Sequence, residues 1–277
     1  MNWRAIFAIV RKDLKVVVQS KAVMIPLVMV PVILFTLLPG VAGLLLNNAD
    51  LDSATVREFQ SEMDSFYANM PDGIQAELEQ FDNEVQRIAF LVFTYMLAPL
   101  YLILPVMVAN VIAADSFVGE KERKTLEALL YTPTTNRELY LAKLLSPWAA
   151  GIAVSVLGFI VYALVVNVTT AGLMDGLFFP NLIWIVMVIW VAPAAAGLGL
   201  GAMVLVSSRT STFQEAYQLG SMVVLPIVLL LLGQMTGVLY FSLPMVLGLG
   251  LVLWLVDAAI FWTGARIFDR GQLISRL

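Results

Sequence analysis

The chain has 277 residues, of which 60% are hydrophobic and only 13% charged, and its mean hydropathy is +0.89. A soluble domain is nearer half apolar and a quarter charged, so this composition is typical of integral membrane proteins. The sequence contains neither cysteine nor histidine. This excludes disulfides, thiolate or imidazole metal sites and any nucleophilic pair that needs either residue. No GxxxxGK[ST] phosphate-binding loop occurs, so ATP binding of that kind is not expected.

The first 21 residues predict an amphipathic helix that lies on the membrane surface. Apolar residues recur at helical spacing from Trp3 to Val18. Basic residues occupy the opposite side of this helix: Arg4, Arg11, Lys12 and Lys15. Basic side chains beside an apolar stripe favour the interface between the lipid headgroups and the acyl chains. The segment is therefore either a simple anchor or an elbow helix that also contacts a cytoplasmic partner.

Six apolar runs are long enough to cross a bilayer, which requires about 20 residues of helix. They are residues 22–46, 88–114, 147–168, 181–206, 220–238 and 244–265. No charged residue separates the last two runs, so short re-entrant segments between residues 233 and 245 are an alternative there. The chain is thus predicted to be an all-α integral membrane protein with six transmembrane helices.

The basic residues predict the orientation of the spans. With six spans, all lysines and arginines except Arg57 and Arg87 fall on one side of the membrane. The positive-inside rule places that side in the cytoplasm. We therefore expect a multi-pass protein of the cell membrane with both termini in the cytoplasm, the C-terminal one as a short basic tail.

Residues 47–87, between the first two spans, hold half of the acidic residues of the chain. Two apolar stripes at helical spacing, Val56 to Tyr67 and Ile74 to Ile88, are separated by the turn sequence MPDG. This pattern predicts a small external helical hairpin whose second helix continues into the second span. Its acids are either a solvated face that helps to set the topology or a surface that attracts cations.

Residues 115–146 form a charged island between two long apolar runs. Its first part is predicted to be an amphipathic helix that is broken at Pro133, because proline lacks an N–H and disfavours helix at the preceding residue. Thr135 and Glu138 then have the spacing of a capping box, which predicts a second helix that continues into the third span. A passive connection needs only a few polar residues, so this organisation indicates a docking surface.

The island also carries a longer pattern, F-x-x-E-x-E-x-x-T-L-E-x-L-L-x-T-P, which runs from Phe117 to Pro133 and is followed by Lys143 on the second helix. This pattern resembles the permease subunits of the type-two ABC exporters. The layout is similar as well, with six spans, an N-terminal interfacial helix and a short basic tail. In that family the island contains a coupling helix, which fits a groove on a separate ATP-binding subunit.

The resemblance implies that the chain is the membrane permease subunit of an ABC exporter. Glu120, Glu122, Arg123 and Thr125 are then the residues expected to contact the ATPase. Two copies, or one copy and a paralogue, would enclose the pathway as a dimer within the lipid bilayer. The chain is expected to be no enzyme and to hold no cofactor and no metal, since ATP and magnesium would bind to the partner subunit.

Asp257 is the only ionisable residue well inside a predicted span. A lone aspartate near the centre of a span costs about 2.5–3.5 kcal/mol on insertion scales, so it is expected to face protein or water. We interpret it as a possible intramembrane polar site, which could be a structural contact, a relay for protons or cations, or a contact to cargo. An ion-coupled secondary transporter that uses Asp257 is the alternative function. The nearby Gly197 and Gly201 are expected to let helices pack closely.

Overall fold

The computed structural model describes residues 1–48, 70–125 and 134–267, and within these ranges the chain forms helices and turns without a strand. Six of the helices are long and apolar enough to cross a membrane, which confirms the predicted all-α fold with six spans. We number the helices in chain order: α1 (Trp3–Gln19), α2 (Val23–Asn47), α3 (Asp72–Leu78), α4 (Glu84–Glu122), α5 (Asn136–Thr169), α6 (Leu182–Ser207), α7 (Phe213–Met235) and α8 (Leu243–Ile267). The six spans are α2 and α4 to α8.

Proline interrupts three of the spans in the same way. In each of them a π-helical turn comes just before the proline: Ile33–Leu37 before Pro39, Val92–Met96 before Pro99, and Met187–Val191 before Pro193. Proline has no N–H to give to the preceding turn, and a π-helical turn is one way to accommodate the lost hydrogen bond. Each of these prolines is therefore accommodated by a local change of helical pitch in its span.

Helix α4 shows where the released carbonyls find partners. Pro99 cannot donate to the carbonyl of Tyr95, and the amide of Leu97 bonds to Val92 in the π pattern (3.0 Å).

Side chains of three other spans donate hydrogen bonds to carbonyls of this π-helical turn: Tyr162 Oη to Phe93 (2.7 Å), Trp184 Nε1 to Thr94 (2.8 Å) and Gln234 Nε2 to Tyr95 (2.6 Å). The break in α4 thus becomes the point at which α5, α6 and α7 are attached to it.

Helices α4 and α6 form the centre of the molecule. Of their most apolar 18 residues, 67% and 56% are buried, against 17–28% in the other four spans. A Cβ atom at Gly199 of α6 would lie 2.4 Å from the carbonyl oxygen of Val106, so the glycine permits the close approach of α6 to α4. Gly197 and Gly201 face α8, in accordance with the packing role predicted for them.

The hairpin segment is described from Met70 onwards, and its predicted first helix lies outside the described residues. The prediction of a second helix continuous with the second span is wrong. Helix α3 ends at Leu78, and α4 is a separate helix that begins after Asn83. The side chain of Asn83 caps α4 by accepting a hydrogen bond from the amide of Val85 (2.9 Å). Glu77 accepts a hydrogen bond from the hydroxyl of Tyr95 in the π-helical turn of α4 (2.7 Å), which holds α3 against this helix.

The last two spans are separated by a short connection. Helix α7 ends at Met235, and α8 begins at Leu243. Gly237 has a φ of 68°, a conformation that glycine adopts without steric cost, and it reverses the chain between them. Residues 233–245 therefore contain the ends of two spanning helices rather than re-entrant segments.

Candidate functional site

Helix α1 packs on the rest of the protein through part of its apolar stripe. Ile6, Ile9 and Val10 are buried against Leu139 and Ala142 of α5. Trp3, Phe7 and Val18 on the same helix stay exposed, with more than half of each side chain uncovered. One part of the stripe therefore binds the protein, and the other part is available to lipid, as expected for an interfacial helix.

An ion network lies where α1 meets the ends of α4 and α5. Lys143 of α5 is 2% exposed and forms an ion pair with Glu120 of α4. It also donates to the carbonyl and the hydroxyl of Ser116 (2.8 and 3.0 Å) and lies 3.7 Å from a carboxylate oxygen of Asp13. Lys12 pairs with Glu120 as well, and its Nζ lies 3.1 Å from Asp13. The hydroxyl of Ser116 donates to Asp13 (2.9 Å), so three helices share one network.

The charges within this network balance. Two lysines face two carboxylates, and Asp13, Glu120 and Lys143 are each less than 5% exposed. Burial lowers the pKa of Lys12, but the hydrogen bond to Glu120 and the charges of Asp13 and Glu120 outweigh burial, so its pKa is raised overall. Buried ions cost several kcal/mol each to desolvate unless they are paired and hydrogen-bonded. The network is therefore stable only while α1, α4 and α5 keep their positions.

The first turns of the island are fixed by a second ion pair. Arg123 donates two hydrogen bonds to the buried carboxylate of Asp115 (2.9 and 3.3 Å). A Cβ atom at Gly119 would lie 2.8 Å from this carboxylate, so glycine leaves room for the pair. The chain then leaves the helix at Lys124, which has a φ of 55°. The predicted helix over Ser116–Leu130 is thus a direct extension of α4 only as far as Glu122. Its remainder from Leu126 onwards and the break at Pro133 lie outside the described residues, and residues 115–125 are the stem of the island.

Glu122 connects the island to the loop before α7. Its carboxylate accepts the backbone N–H of Phe213 (2.8 Å), the first residue of α7. Thr212 caps the same helix end through the amide of Glu215 (3.3 Å). A carboxylate is stabilised at a helix N-terminus by the unpaired N–H groups and the helix dipole. Movement of the island stem is therefore passed on to α7 as well.

The predicted capping box at the start of α5 is confirmed. The hydroxyl of Thr135 accepts the amide of Glu138 (3.3 Å), and the carboxylate of Glu138 accepts the amide of Thr135 (2.9 Å). The same carboxylate accepts the backbone N–H of Asn2 (2.5 Å). Glu138 thereby joins the first turn of α5 to the first turn of α1.

The four residues predicted to contact an ATPase differ in how much of each side chain is exposed to solvent. Glu122, Arg123 and Thr125 are exposed on the island stem, while Glu120 is 4% exposed and directed at two lysines of its own chain. A carboxylate buried in this way holds the surface in place from below, and a direct contact through Glu120 stays a prediction.

Sequence reasoning missed Asp13, although the sequence contains a signal for it. Asp13 follows Val10 by three residues and precedes Val17 by four, so it lies on the apolar side of α1, which is unusual for an acid. An acid on the buried stripe of a helix predicts a buried partner. The identity of that partner, Lys143, depends on how α1 packs on α5.

Asp257 is enclosed between α8 and α6. It is 1% exposed, and a Cβ atom at Gly197 would lie 2.1 Å from its carboxylate. Neither of its oxygens has a hydrogen-bond partner among the residues that the structure describes. The structure does not bring Asp257 together with the ion network, and within residues 1–48, 70–125 and 134–267 it forms no ion pair.

Comparison with known proteins places this architecture in a family. No curated protein and no solved structure matches the chain. The family model described as "ABC-2 family transporter protein" matches residues 7–250, which cover α1 from Phe7 onwards, all of the described island residues, the spans up to α7 and the first turns of α8. The chain therefore belongs to the ABC-2 transporter family, as a multi-pass membrane permease subunit of an ABC transporter.

Proposed function

We propose that this permease subunit belongs to an exporter and is driven by a separate ATP-binding subunit that docks on the island. ATP and magnesium are bound by that partner, and this chain carries no ATPase site of its own. The observation that carries the proposal is the ion network of Lys12, Asp13, Ser116, Glu120 and Lys143, which joins the island stem to two other helices.

The network gives the island the mechanical property that a coupling surface needs. A force applied to the exposed residues Glu122, Arg123 and Thr125 acts on a stem that is continuous with α4, the most buried span. Because the stem is ion-paired to α1 and α5, it cannot move without them. Closure of the ATPase pair would therefore shift several helices together, as alternating access requires.

The orientation follows from the distribution of charge. The island, α1 and the loop before α7 lie on the same side of the protein, since Glu120 contacts Lys12 and Glu122 contacts Phe213. This side holds nearly all the basic residues that the structure describes, so the positive-inside rule supports placing it in the cytoplasm, where ATP is available.

A second copy of the chain, or a paralogue, completes the pathway in this proposal. An apolar groove of about 530 Å³ lies between α2, α4 and α7, with Val30, Ile33, Met107 and Val224 among its lining residues. Helices α2 and α7 are among the least buried spans, which supports their contact with another subunit. The alternative of an ion-coupled carrier requires charged partners for Asp257, and family membership favours the ABC permease instead.

Site-specific photocrosslinking tests the proposal in the native membrane. A photoreactive phenylalanine analogue replaces Thr125 on the exposed stem, and in the control it replaces Leu177, which is 88% exposed in the loop before α6. The expected adduct at Thr125 is a protein with a P-loop ATPase sequence, identified by mass spectrometry, and this adduct is missing from the control. If no P-loop protein is captured at Thr125, or if Leu177 captures the same one, the proposed docking surface is wrong.

A further inference from the structure

An apolar cleft opens beside α1, away from the ion network and from the groove between α2, α4 and α7. Its volume is about 260 Å³, and four helices form its walls. Side chains from all four take part: Trp3 and Ile6 of α1, Leu144 and Trp148 of α5, Leu200 of α6, and Trp254 of α8. Trp3 belongs to the interfacial helix α1, so the cleft opens at the level of one membrane interface, and Trp254, near the middle of α8, lines its deeper part.

The walls of this cleft offer almost no hydrogen-bonding group. The indole N–H of Trp148 is used by the carbonyl of Pro193 (2.9 Å), and that of Trp254 by the carbonyl of Trp190 (3.2 Å). Both tryptophans therefore present only carbon to the cleft. A ligand that fills it must be hydrocarbon over the part that is enclosed.

Two arginines neighbour lining residues of the cleft along the helices that form it. Arg4 follows Trp3 directly in α1, and Arg137 lies one helical turn before Leu141, which also lines the cleft. Both arginines are exposed. A guanidinium group binds phosphate through two parallel hydrogen bonds, and an interfacial helix holds it at the depth of the headgroups.

We propose that this cleft binds one anionic phospholipid. An acyl chain lies against Trp148, Leu144 and Trp254, and the phosphate group is bound by Arg4 and Arg137. This inference does not depend on the proposed ATPase contact, because the cleft shares no lining residue with the exposed stem residues Glu122, Arg123 and Thr125 and its ligand comes from the membrane.

A lipid in this position would also stabilise the kink in α6. Trp148 and Trp254, which form its walls, donate to carbonyls within and just after the π-helical turn of α6, at Trp190 and Pro193. Contact with an acyl chain restricts both indole rings and with them these two hydrogen bonds. The lipid composition of the membrane would thus influence the geometry of a central span.

Native mass spectrometry of the full chain in detergent tests the proposal. The probes are phosphatidylglycerol and phosphatidylcholine with identical acyl chains, added at equal concentrations. Two variants remove the site in different ways: Arg4→Gln/Arg137→Gln removes the charges, and Leu144→Trp fills the cleft. The control Arg11→Gln/Lys15→Gln removes two exposed charges from the same α1 helix, further along it. Circular dichroism verifies that each variant keeps its helical content.

The wild-type chain is expected to retain one phosphatidylglycerol in preference to phosphatidylcholine. Each basic residue near a membrane surface contributes about 1 kcal/mol, so the loss of both arginines is expected to weaken binding of this lipid about 30-fold. Leu144→Trp is expected to lose it, and the control is expected to keep it. The proposal is overturned if both lipids are retained equally, if the control loses as much as the charge variant, or if folded Leu144→Trp protein still holds the lipid.

Discussion

Lys143 shows how much a single buried charge depends on its neighbours. Its ammonium group is 2% exposed and is enclosed by Glu120, Asp13 and Ser116 on two other helices. In isolation such a charge would be expelled from the protein interior, since desolvation costs more than one weak contact returns. Its presence is therefore explained by the network, and the network in turn defines how α1 sits on α4 and α5.

Replacing Lys143 by methionine is expected to destabilise the protein by about 3–5 kcal/mol, because Asp13 and Glu120 then remain buried with only Lys12 to compensate them. The measurement is the unfolding free energy in detergent. Lys15→Met, which removes an exposed lysine of α1, is the control and should change little. The double variant Glu120→Gln/Lys143→Met should be less destabilised than the sum of its single variants. Equal effects of Lys143→Met and Lys15→Met would contradict this account.

Gly197 and Asp257 give a second prediction at the scale of residues. A methyl group at position 197 would lie 2.1 Å from the carboxylate of Asp257, so Gly197→Ala is expected to cost about 1–3 kcal/mol by overpacking. Gly248→Ala on α8 is the control, since a Cβ atom there meets nothing within 4 Å. The double variant Gly197→Ala/Asp257→Ala, in which the aspartate is shortened to a methyl group, should recover part of the stability that Gly197→Ala loses. A neutral Gly197→Ala would mean that the two helices are not as close as the structure places them.

The sequence predicts some of these residues and not others, for a physical reason. The capping box of Thr135 and Glu138 is local, so spacing alone was enough to predict it. The partners of Glu120 are 108 and 23 residues away, and no local pattern connects them. Exposure is likewise a tertiary property, which is why Glu120 could not be distinguished from Glu122 before the helices were packed.

At the scale of elements, the interrupted helix α4 organises the fold. Its prolines predict kinks from sequence alone, because the missing N–H is a property of the residue. The donors that replace the lost hydrogen bonds come from α5, α6 and α7, so they appear only in the assembled structure. Similarly, six apolar runs predict six spans, whereas the central place of α4 and α6 depends on small residues such as Gly199 at a particular crossing.

The hydrogen bond between Gln234 and Tyr95 tests this explanation of α4. Gln234→Leu is expected to destabilise the protein by about 1–3 kcal/mol, since the carbonyl of Tyr95 is left without a donor in an apolar setting. Pro99→Ala restores an amide that can bond to this carbonyl in the α-helical pattern. The double variant Gln234→Leu/Pro99→Ala should therefore lose less stability than the sum of the losses in the two single variants. Thermal unfolding measures this difference. Additive effects would show that proline is not the reason for the exposed carbonyl.

At the scale of the whole molecule, the spans divide into a buried centre and a less buried periphery. Helices α2 and α7 expose apolar side chains along the groove that they share with α4, and this arrangement supports a second subunit at that surface. The cleft beside α1 lies apart from this groove, between α1, α5, α6 and α8. A force on the island would reach both the groove and the cleft through α4.

The cysteine-free chain allows a direct test of this interface. Leu229→Cys on α7, at a position 66% exposed, is expected to form a disulfide-linked dimer on oxidation in native membranes. Leu164→Cys on α5, at a position 61% exposed, is the control and should stay monomeric on denaturing gels. The reverse result would place the second subunit on the α5 side instead.

The central claim is that the island couples this permease to a separate ATPase, and ATP hydrolysis by the purified complex measures it most directly. Tagged chain is isolated from its native membrane as wild type, as Thr125→Arg on the exposed stem, and as Gly73→Arg on α3, where an added Cβ atom would meet nothing within 4 Å. The account predicts that ATPase activity elutes with wild type and with Gly73→Arg and is lost from Thr125→Arg, while all three remain folded. Activity that is missing from wild type, or that stays with Thr125→Arg at the wild-type level, would contradict it.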